Sequence, residues 1–135
     1  MKYNIMFVDD SSSVLVSLKW MFKDEHYYVF LLDNPLNALN VTKSLEWAVV
    51  VADQYMQNMD GLEFLKRFQA QSPYTIGIIM TGYDEIKETL DTLNCGCVCR
   101  FVKKPLDSIE IKQVVKTAIA DYETNINSKE DSNFR

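Results

Sequence analysis

Five short apolar runs, separated by segments with helical periodicity, constrain the fold of this chain more than any other feature of its sequence. The runs span residues 5–8, 28–32, 48–52, 76–80 and 98–102, and each has the length of a buried strand. Segments with apolar side chains three and four residues apart follow every run. Because parallel neighbours need a crossover connection, this alternation indicates a parallel sheet covered on both faces. The sequence therefore predicts a doubly wound α/β fold with five strands and five helices.

Helix boundary signals support this order of elements. Ser11 to Ser13 precede the first helical segment, Asp60 the third and Asp107 or Ser108 the fifth, and such side chains favour helix N-caps. The fourth segment has apolar residues at positions 86, 90 and 93 and ends near a stop signal at Asn94 and Gly96.

Length and charge limit the domain count and the class of partner. A chain of 135 residues with 47% hydrophobic residues can bury one core and is short for two domains. The net charge of −5 argues against direct binding of nucleic acid or of an anionic membrane. No stretch resembles a signal peptide or approaches the ~18 apolar residues of a membrane span. We expect a cytoplasmic protein with one domain over residues 1–123 and a polar tail or linker start over residues 124–135.

Two features that suggest a transition-metal site have simpler interpretations. Cys95, Cys97 and Cys99 alternate along the chain, whereas zinc sites usually combine C-x-x-C pairs with further ligands. In a reducing cytosol these cysteines are expected to be small apolar residues around a turn. His26, the only histidine, lies in a polar break and is predicted to be a solvated turn residue. Any chemistry of this chain must therefore proceed without histidine.

Polar side chains follow four of the five predicted strands. Asp9 and Asp10 follow the first strand, Asp53 the third, Thr81 the fourth and Lys104 the fifth. Taken singly, each is the kind of residue that caps a helix or forms a turn. The carboxyl ends of parallel strands share one edge, however, and ligands of open α/β sheets bind there. We therefore expect three carboxylates, a hydroxyl group and an ammonium group to converge.

Clustered carboxylates of this kind favour a bound cation and phosphoryl chemistry. They repel one another unless a cation is present, and Mg²⁺ prefers oxygen ligands, typically one or two carboxylates together with phosphate oxygens. One carboxylate then remains for nucleophilic attack at phosphorus. Asp53, central and alone on its strand, is the candidate nucleophile. Lys104 and Thr81 are predicted to receive the phosphoryl oxygens.

The chain resembles the receiver domain of two-component response regulators, including the chemotaxis regulators. Four segments carry the resemblance: "VDD" after the first strand, "ADQYMQNMDGLEFL" around Asp53, "IIMTGYD" after the fourth strand and "RFVKKP" in the fifth. It extends from residue 3 to about residue 123. The resemblance implies a flavodoxin-like sheet with strand order 2-1-3-4-5.

The resemblance also implies a metal site. By position, Asp53 is the phosphoacceptor and a Mg²⁺ ligand. Asp9, Asp10 and the backbone carbonyl of Tyr55 supply the other protein ligands.

Further residues match the switch and the rim of the site in this family. Thr81 is the implied switch hydroxyl, Lys104 the phosphoryl-binding lysine and Phe101 the rotating aromatic residue. The residues implied to flank the site are Tyr55, Gly82, Tyr83 and Pro105, the last after a cis peptide bond.

The implied function is a phosphorylation-dependent signalling switch. A histidine kinase or phosphotransfer protein donates the phosphoryl group, and the face made by the fourth helix, fifth strand and fifth helix then changes. The chain catalyses only its own phosphotransfer and slow dephosphorylation, so it is not a classical enzyme. A downstream output protein or domain is a further expected partner, and a phosphorylation-dependent homodimer is another candidate.

The chain departs from the usual receiver pattern at two positions, and rival functions are open. Gln57 stands where most receivers have proline, which predicts a less rigid loop, and Phe101 has no hydroxyl group. A haloacid-dehalogenase-type phosphatase requires D-x-D, whereas Asp9 and Asp10 are adjacent, and the glycines fit no nucleotide-binding motif. The stronger rival is a receiver-like interaction module that is not phosphorylated. Looser similarities to receivers attached to HD-type phosphodiesterases and to transcription activators leave two alternatives open. The chain is either a stand-alone regulator or the front part of such a longer regulator.

Overall fold

Strands and helices alternate along the chain, as the apolar pattern predicts. The computed structural model describes residues 2–82 and 99–133. The strands are β1 (Tyr3–Val8), β2 (Tyr27–Leu32), β3 (Val49–Asp53), β4 (Ile76–Gly82) and β5 (Cys99–Lys104). The helices are α1 (Ser12–Met21), α2 (Pro35–Val41), a 3₁₀ helix (Thr42–Ser44), α3 (Gly61–Gln71) and the C-terminal helix (Ser108–Asn133).

The five strands form one parallel sheet with the order β2-β1-β3-β4-β5. This confirms the strand order that the family resemblance implies. β2 pairs with one side of β1, and β3 pairs with the other side of β1. The direction in which strands are added therefore reverses between β1 and β3. Val8 pairs with Ala52 in this register, which brings the residues that follow them, Asp9 and Asp53, to the same end of the sheet. The crevice at such a reversal is where open α/β sheets bind ligands.

Two hydrophobic clusters cover the two faces of the sheet. One cluster joins the sheet to α1 and the C-terminal helix, and its Phe7 and Phe22 rings lie 5.0 Å apart. The other joins the sheet to α2 and α3, where the Phe64 and Phe68 rings lie 5.7 Å apart. Every residue of β3 is buried, as expected of a central strand with helices on both sides. The two clusters therefore hold the carboxyl end of β3 in a fixed position.

Part of the predicted pattern lies outside the described residues. The predicted fourth helix falls there, as do Tyr83, Cys95 and Cys97; four α-helices lie within residues 2–82 and 99–133. His26 is exposed in the bend before β2, in agreement with its predicted place in a turn. None of the helices in the described part of the chain has the length and apolar character of a membrane span.

The C-terminal helix is longer than the sequence indicates. It continues to Asn133, through residues that the sequence predicts to be a polar tail or the start of a linker. Tyr122 packs edge-on against Tyr3 with ring centroids 6.2 Å apart, and the Lys129 ammonium lies 5.1 Å from the centre of the Tyr74 ring. Tyr122 and Lys129 lie seven residues, or about two turns, apart on the same helix face, and the Lys129 contact lies in the turns beyond residue 123. The domain boundary at residue 123 stays a prediction.

Candidate functional site

Three carboxylates meet at the carboxyl ends of β1 and β3. Asp9, Asp10 and Asp53 each offer one oxygen, and these oxygens lie within 4.8 Å of one another. Asp9 is fully buried, Asp53 is 8% exposed and Asp10 is exposed to solvent. The cluster therefore has a buried floor and one side that is open to solvent.

Backbone amides fix two of the carboxylates. The Ser11 N–H donates to Asp9 Oδ1 at 2.9 Å, and the Gln57 N–H donates to Asp10 Oδ2 at 3.1 Å. The second bond joins the loop after β3 to the loop after β1. Because each bond uses one oxygen, the other oxygen of each carboxylate is left to face the cluster.

Lys104 reaches the cluster from the end of β5. Its Nζ lies 3.0 Å from Asp9 Oδ2 and 3.1 Å from Asp53 Oδ1. The peptide bond between Lys104 and Pro105 is cis. One ammonium group therefore bridges the two most buried carboxylates.

The charges of the cluster shift the pKa values of Asp53 and Lys104. Burial raises the pKa of Asp53, and repulsion by Asp9 and more weakly by Asp10 adds to this, although Lys104 opposes the rise. Burial lowers the pKa of Lys104, but its hydrogen bonds and its attraction to Asp9 and Asp53 outweigh this, so the net shift is upward. Lys104 therefore stays charged. The Lys104 charge alone does not offset the burial of Asp53 and its repulsion by the neighbouring carboxylates.

The loop between β3 and α3 packs tightly against the backbone of Asp53. The Gly61 N–H donates to the Gln54 carbonyl at 2.9 Å, and a Cβ atom at position 61 would lie 2.5 Å from the Asp53 carbonyl oxygen. Asp60 caps α3, because its Oδ1 accepts the Glu63 N–H at 2.8 Å. The helix and the carboxyl end of β3 are thus held in direct contact.

The remaining predicted site residues lie around this cluster. Thr81 is fully buried near the end of β4, one residue beyond the Met80 that pairs with Asp53. Gly82 pairs with Lys104, and Phe101 is half-buried against the cluster under α2 and α3. Tyr55 is 52% exposed just after the acidic residue of β3.

Comparison with known proteins identifies the family. A sequence model of the response regulator receiver domain matches residues 5–116 of this chain. The chain belongs to the response regulator receiver domain family.

Bacterial response regulators are among its relatives in this family. This receiver domain is 33% identical over 116 residues to sporulation initiation phosphotransferase F of Bacillus subtilis, a match that covers 86% of this chain and 93% of the relative. It is 31% identical over 123 residues to the transcriptional regulatory protein FixJ of Bradyrhizobium diazoefficiens, covering 90% of this chain but 59% of FixJ. A solved receiver domain of an HD domain-containing protein from Pseudomonas fluorescens Pf-5 superimposes with a TM-score of 0.86 at 25% identity, and 93% of each chain is covered.

Receiver domains are signalling domains of two-component systems rather than classical enzymes. The acidic cluster of this receiver domain is suited to a metal ion. All three side-chain ligands are carboxylates, which hard divalent cations prefer, and one side of the cluster is open. Three carboxylates share the one Lys104 ammonium group there, and burial together with repulsion by Asp9 raises the pKa of Asp53, so a further cation would be stabilised in the cluster.

Two groups that shape the site of this receiver domain are not evident from the motifs of the sequence. One is the Gln57 amide that holds Asp10; at this position proline would remove the donor. The other is Gln54, a buried side chain whose Oε1 accepts the Leu62 N–H at 3.2 Å at the start of α3. A backbone donor such as the Gln57 N–H cannot be recognised from residue types. Gln54, in contrast, is a polar side chain directly after a buried strand, and this position indicates that it hydrogen-bonds within the fold.

Proposed function

We propose that this receiver domain is a cytoplasmic, phosphorylation-dependent switch whose phosphoacceptor is Asp53. Its donor is a partner histidine kinase or phosphotransfer protein. The observation that carries the proposal is the bridge of Lys104 between Asp53 and Asp9 inside the acidic cluster. An ammonium group in this place can bind the Asp53 carboxylate before transfer and a phosphoryl oxygen after it. A purely structural ion pair does not require this position beside the acceptor.

The chain's own residues account for the transfer step. An Asp53 carboxylate oxygen forms a bond to phosphorus while the bond between phosphorus and the donor's histidine nitrogen breaks. The electron pair of that bond stays on the imidazole. Lys104 turns from Asp53 toward the transferred group and donates to one of its oxygens, and the Thr81 hydroxyl group donates to another.

Asp9, Asp10, Asp53 and the backbone carbonyl of Tyr55 are the proposed ligands of Mg²⁺. When bound, this ion neutralises the cluster and stabilises charge on the transferring phosphoryl group. The geometric support is the set of three carboxylate oxygens within 4.8 Å of one another.

The proposed switch links Thr81 to Phe101. Movement of Thr81 toward the phosphoryl group vacates space that the half-buried Phe101 ring can enter, next to the small Gly82. Such a change alters the surface of β5 and the C-terminal helix, which we propose as the face read by an output protein or domain. A phosphorylation-dependent homodimer would use the same face.

A surface beside Lys104 has the character of a docking site for the phosphodonor. A cleft of ≈ 300 Å³ separates α1 from the segment after β5 and is lined by Ser13, Val14, Ser17, Met21, Lys104, Pro105 and Leu106. Val16 and Trp20 are 54% and 64% exposed on α1. Exposed apolar groups beside a reactive site favour a protein partner at that site.

Incubation with Mg²⁺ and acetyl phosphate, followed by intact-mass spectrometry, tests the proposal. We expect the mass of one added phosphoryl group, which Asp53→Asn abolishes. The matched control is Asp24→Asn, an exposed carboxylate in the turn after α1, which should leave the adduct unchanged. Absence of any adduct would favour the unphosphorylated interaction module instead.

A further inference from the structure

The two edges of the sheet differ in how they are protected from pairing with another strand. On the β5 edge, Arg100 and Lys103 are exposed, and charged side chains on an edge strand oppose the addition of a further strand. The other edge is β2, with the sequence YYVFLL, which contains no charged residue, proline or glycine. This edge therefore lacks the usual devices that keep sheet edges apart.

The helix next to β2 covers only part of the strand. α2 has seven residues and rises about 10 Å, which is too short to follow a six-residue strand to its beginning. Tyr28 is 51% exposed and Phe30 is 36% exposed as a result. Beside them lies an apolar groove of ≈ 300 Å³, lined by Phe30, Leu31, Leu32, Val41, Ser44, Leu45 and Trp47.

We propose that the β2 edge pairs with the β2 edge of a second copy of this chain, as an antiparallel, two-fold symmetric dimer. An edge strand carries a row of backbone N–H and C=O groups on its outer side, which a second strand can satisfy. With Val29 on the two-fold axis, Tyr28 lies opposite Phe30 of the second copy, and Phe30 lies opposite its Tyr28. Both exposed aromatic side chains of each copy are covered by one pairing, and cross-strand aromatic pairs stabilise sheets.

Charge favours a second copy as the occupant. The net charge of −5 opposes self-association over most of the surface, but the β2 strand and the apolar groove contain no charged side chain. The Lys2 ammonium lies 4.9 Å from the centre of the Tyr28 ring. In the antiparallel pair this end of β2 faces the Asp33 end of the second copy. Asp24 and Glu25 also precede β2 at this end, and the Glu25 Oε1 lies 3.6 Å from the Lys112 Nζ, an ion pair that offsets part of this negative charge.

The proposed dimer is independent of phosphorylation. β1 lies between β2 and β3, so pairing at the outer edge of β2 leaves the cluster around Asp53 open. This dimer is therefore distinct from one formed through β5 and the C-terminal helix. Asp53→Asn should leave it unchanged, so that its failure and the failure of the proposed phosphorylation are separate results.

Sedimentation velocity from about 5 to about 500 µM tests the dimer, since small interfaces associate weakly. We expect the mass to rise from 15.6 kDa toward twice that value. Tyr28→Lys and Phe30→Lys should each weaken the dimer at least tenfold, because each substitution occurs twice in the symmetric pair. The matched control is Trp20→Lys: Trp20 is 64% exposed and also has a lysine, Lys23, 4.9 Å from its ring centre, but it lies on α1.

Amide hydrogen exchange supplies the structural readout. Exchange in residues 27–32 should slow as the concentration of the wild-type chain rises, and should not slow in Phe30→Lys. If Phe30→Lys lowers the melting temperature, Phe30→Thr takes its place, because threonine removes the aromatic ring but has a β-branched side chain that favours strands. A chain that remains at 15.6 kDa throughout overturns the proposal, as does a dimer that Trp20→Lys weakens and Phe30→Lys leaves intact.

Discussion

Asp53 is buried beside two other carboxylates, and its charge destabilises the folded chain when no cation is bound. Because its pKa is raised in the folded state, its contribution to stability is present at low pH and is lost as the pH rises through the folded pKa. At pH 7 without metal, we expect Asp53→Asn to raise the melting temperature by a few degrees, which corresponds to about 1 kcal/mol. The asparagine amide oxygen can still accept from Lys104.

The pH dependence of this gain separates charge from packing. The gain should shrink as the pH falls from 7 toward the range just above 3.8, the ordinary pKa of an aspartate, since wild-type Asp53 then takes up a proton. Thermal denaturation at several pH values measures it, with Asp24→Asn as the exposed control. A gain that stays constant across this range would mean that the charge of Asp53 does not destabilise the fold.

Gly61 is the second residue whose replacement should act on the site. An alanine Cβ would lie 2.5 Å from the Asp53 carbonyl oxygen, a backbone atom, so β3 or α3 must shift at a cost of about 1–3 kcal/mol. We expect Gly61→Ala to lower both the melting temperature and the rate of phosphorylation by acetyl phosphate.

Gly77 provides the comparison for this prediction. A Cβ at Gly77 would lie 2.8 Å from Leu65 Cδ1, which is the end of a side chain and not a backbone atom. Gly77→Ala should therefore lower stability less than Gly61→Ala and leave the phosphorylation rate per folded molecule unchanged. Equal rates for the two variants would show that Gly61 does not position Asp53.

Among the elements, the C-terminal helix makes contacts beyond the predicted end of the domain. Tyr122, Ile126 and Lys129 line one wall of a cavity of ≈ 340 Å³ whose other walls come from residues 42–47 and 71–74. Truncation after residue 123 removes Ile126 and Lys129, and we expect a loss of about 1–2 kcal/mol from lost apolar and cation–π contacts. Truncation after residue 129 keeps these side chains and should melt with the full chain. If both truncated chains melt with it, the added turns do not stabilise the domain.

The sequence indicated some elements better than others for physical reasons. Central strands such as β3 are buried on both faces, so their apolar runs are continuous and the carboxylates at their ends stand out. The extension of the C-terminal helix beyond residue 123 brings Lys129 against Tyr74, a residue distant in the chain, and the local pattern does not reveal such a contact. The apolar run of β2 identified a strand, but its pattern does not tell an open edge from a covered one.

For the whole molecule, the net charge of −5 and the acidic cluster predict different responses to added salt. Any salt screens the general repulsion between negative charges, whereas Mg²⁺ also binds the cluster of Asp9, Asp10 and Asp53 if our proposal holds. We expect MgCl₂ to raise the melting temperature more than NaCl at equal ionic strength. At Mg²⁺ concentrations about 100 times the dissociation constant, the added stability should be about 2.7 kcal/mol.

Asp10→Asn removes an exposed ligand without disturbing the core, so it should shrink the difference in melting temperature between the two salts. Thermal melts of both chains in both salts measure this, and equal shifts in wild type would mean that the carboxylates bind no Mg²⁺ in this range.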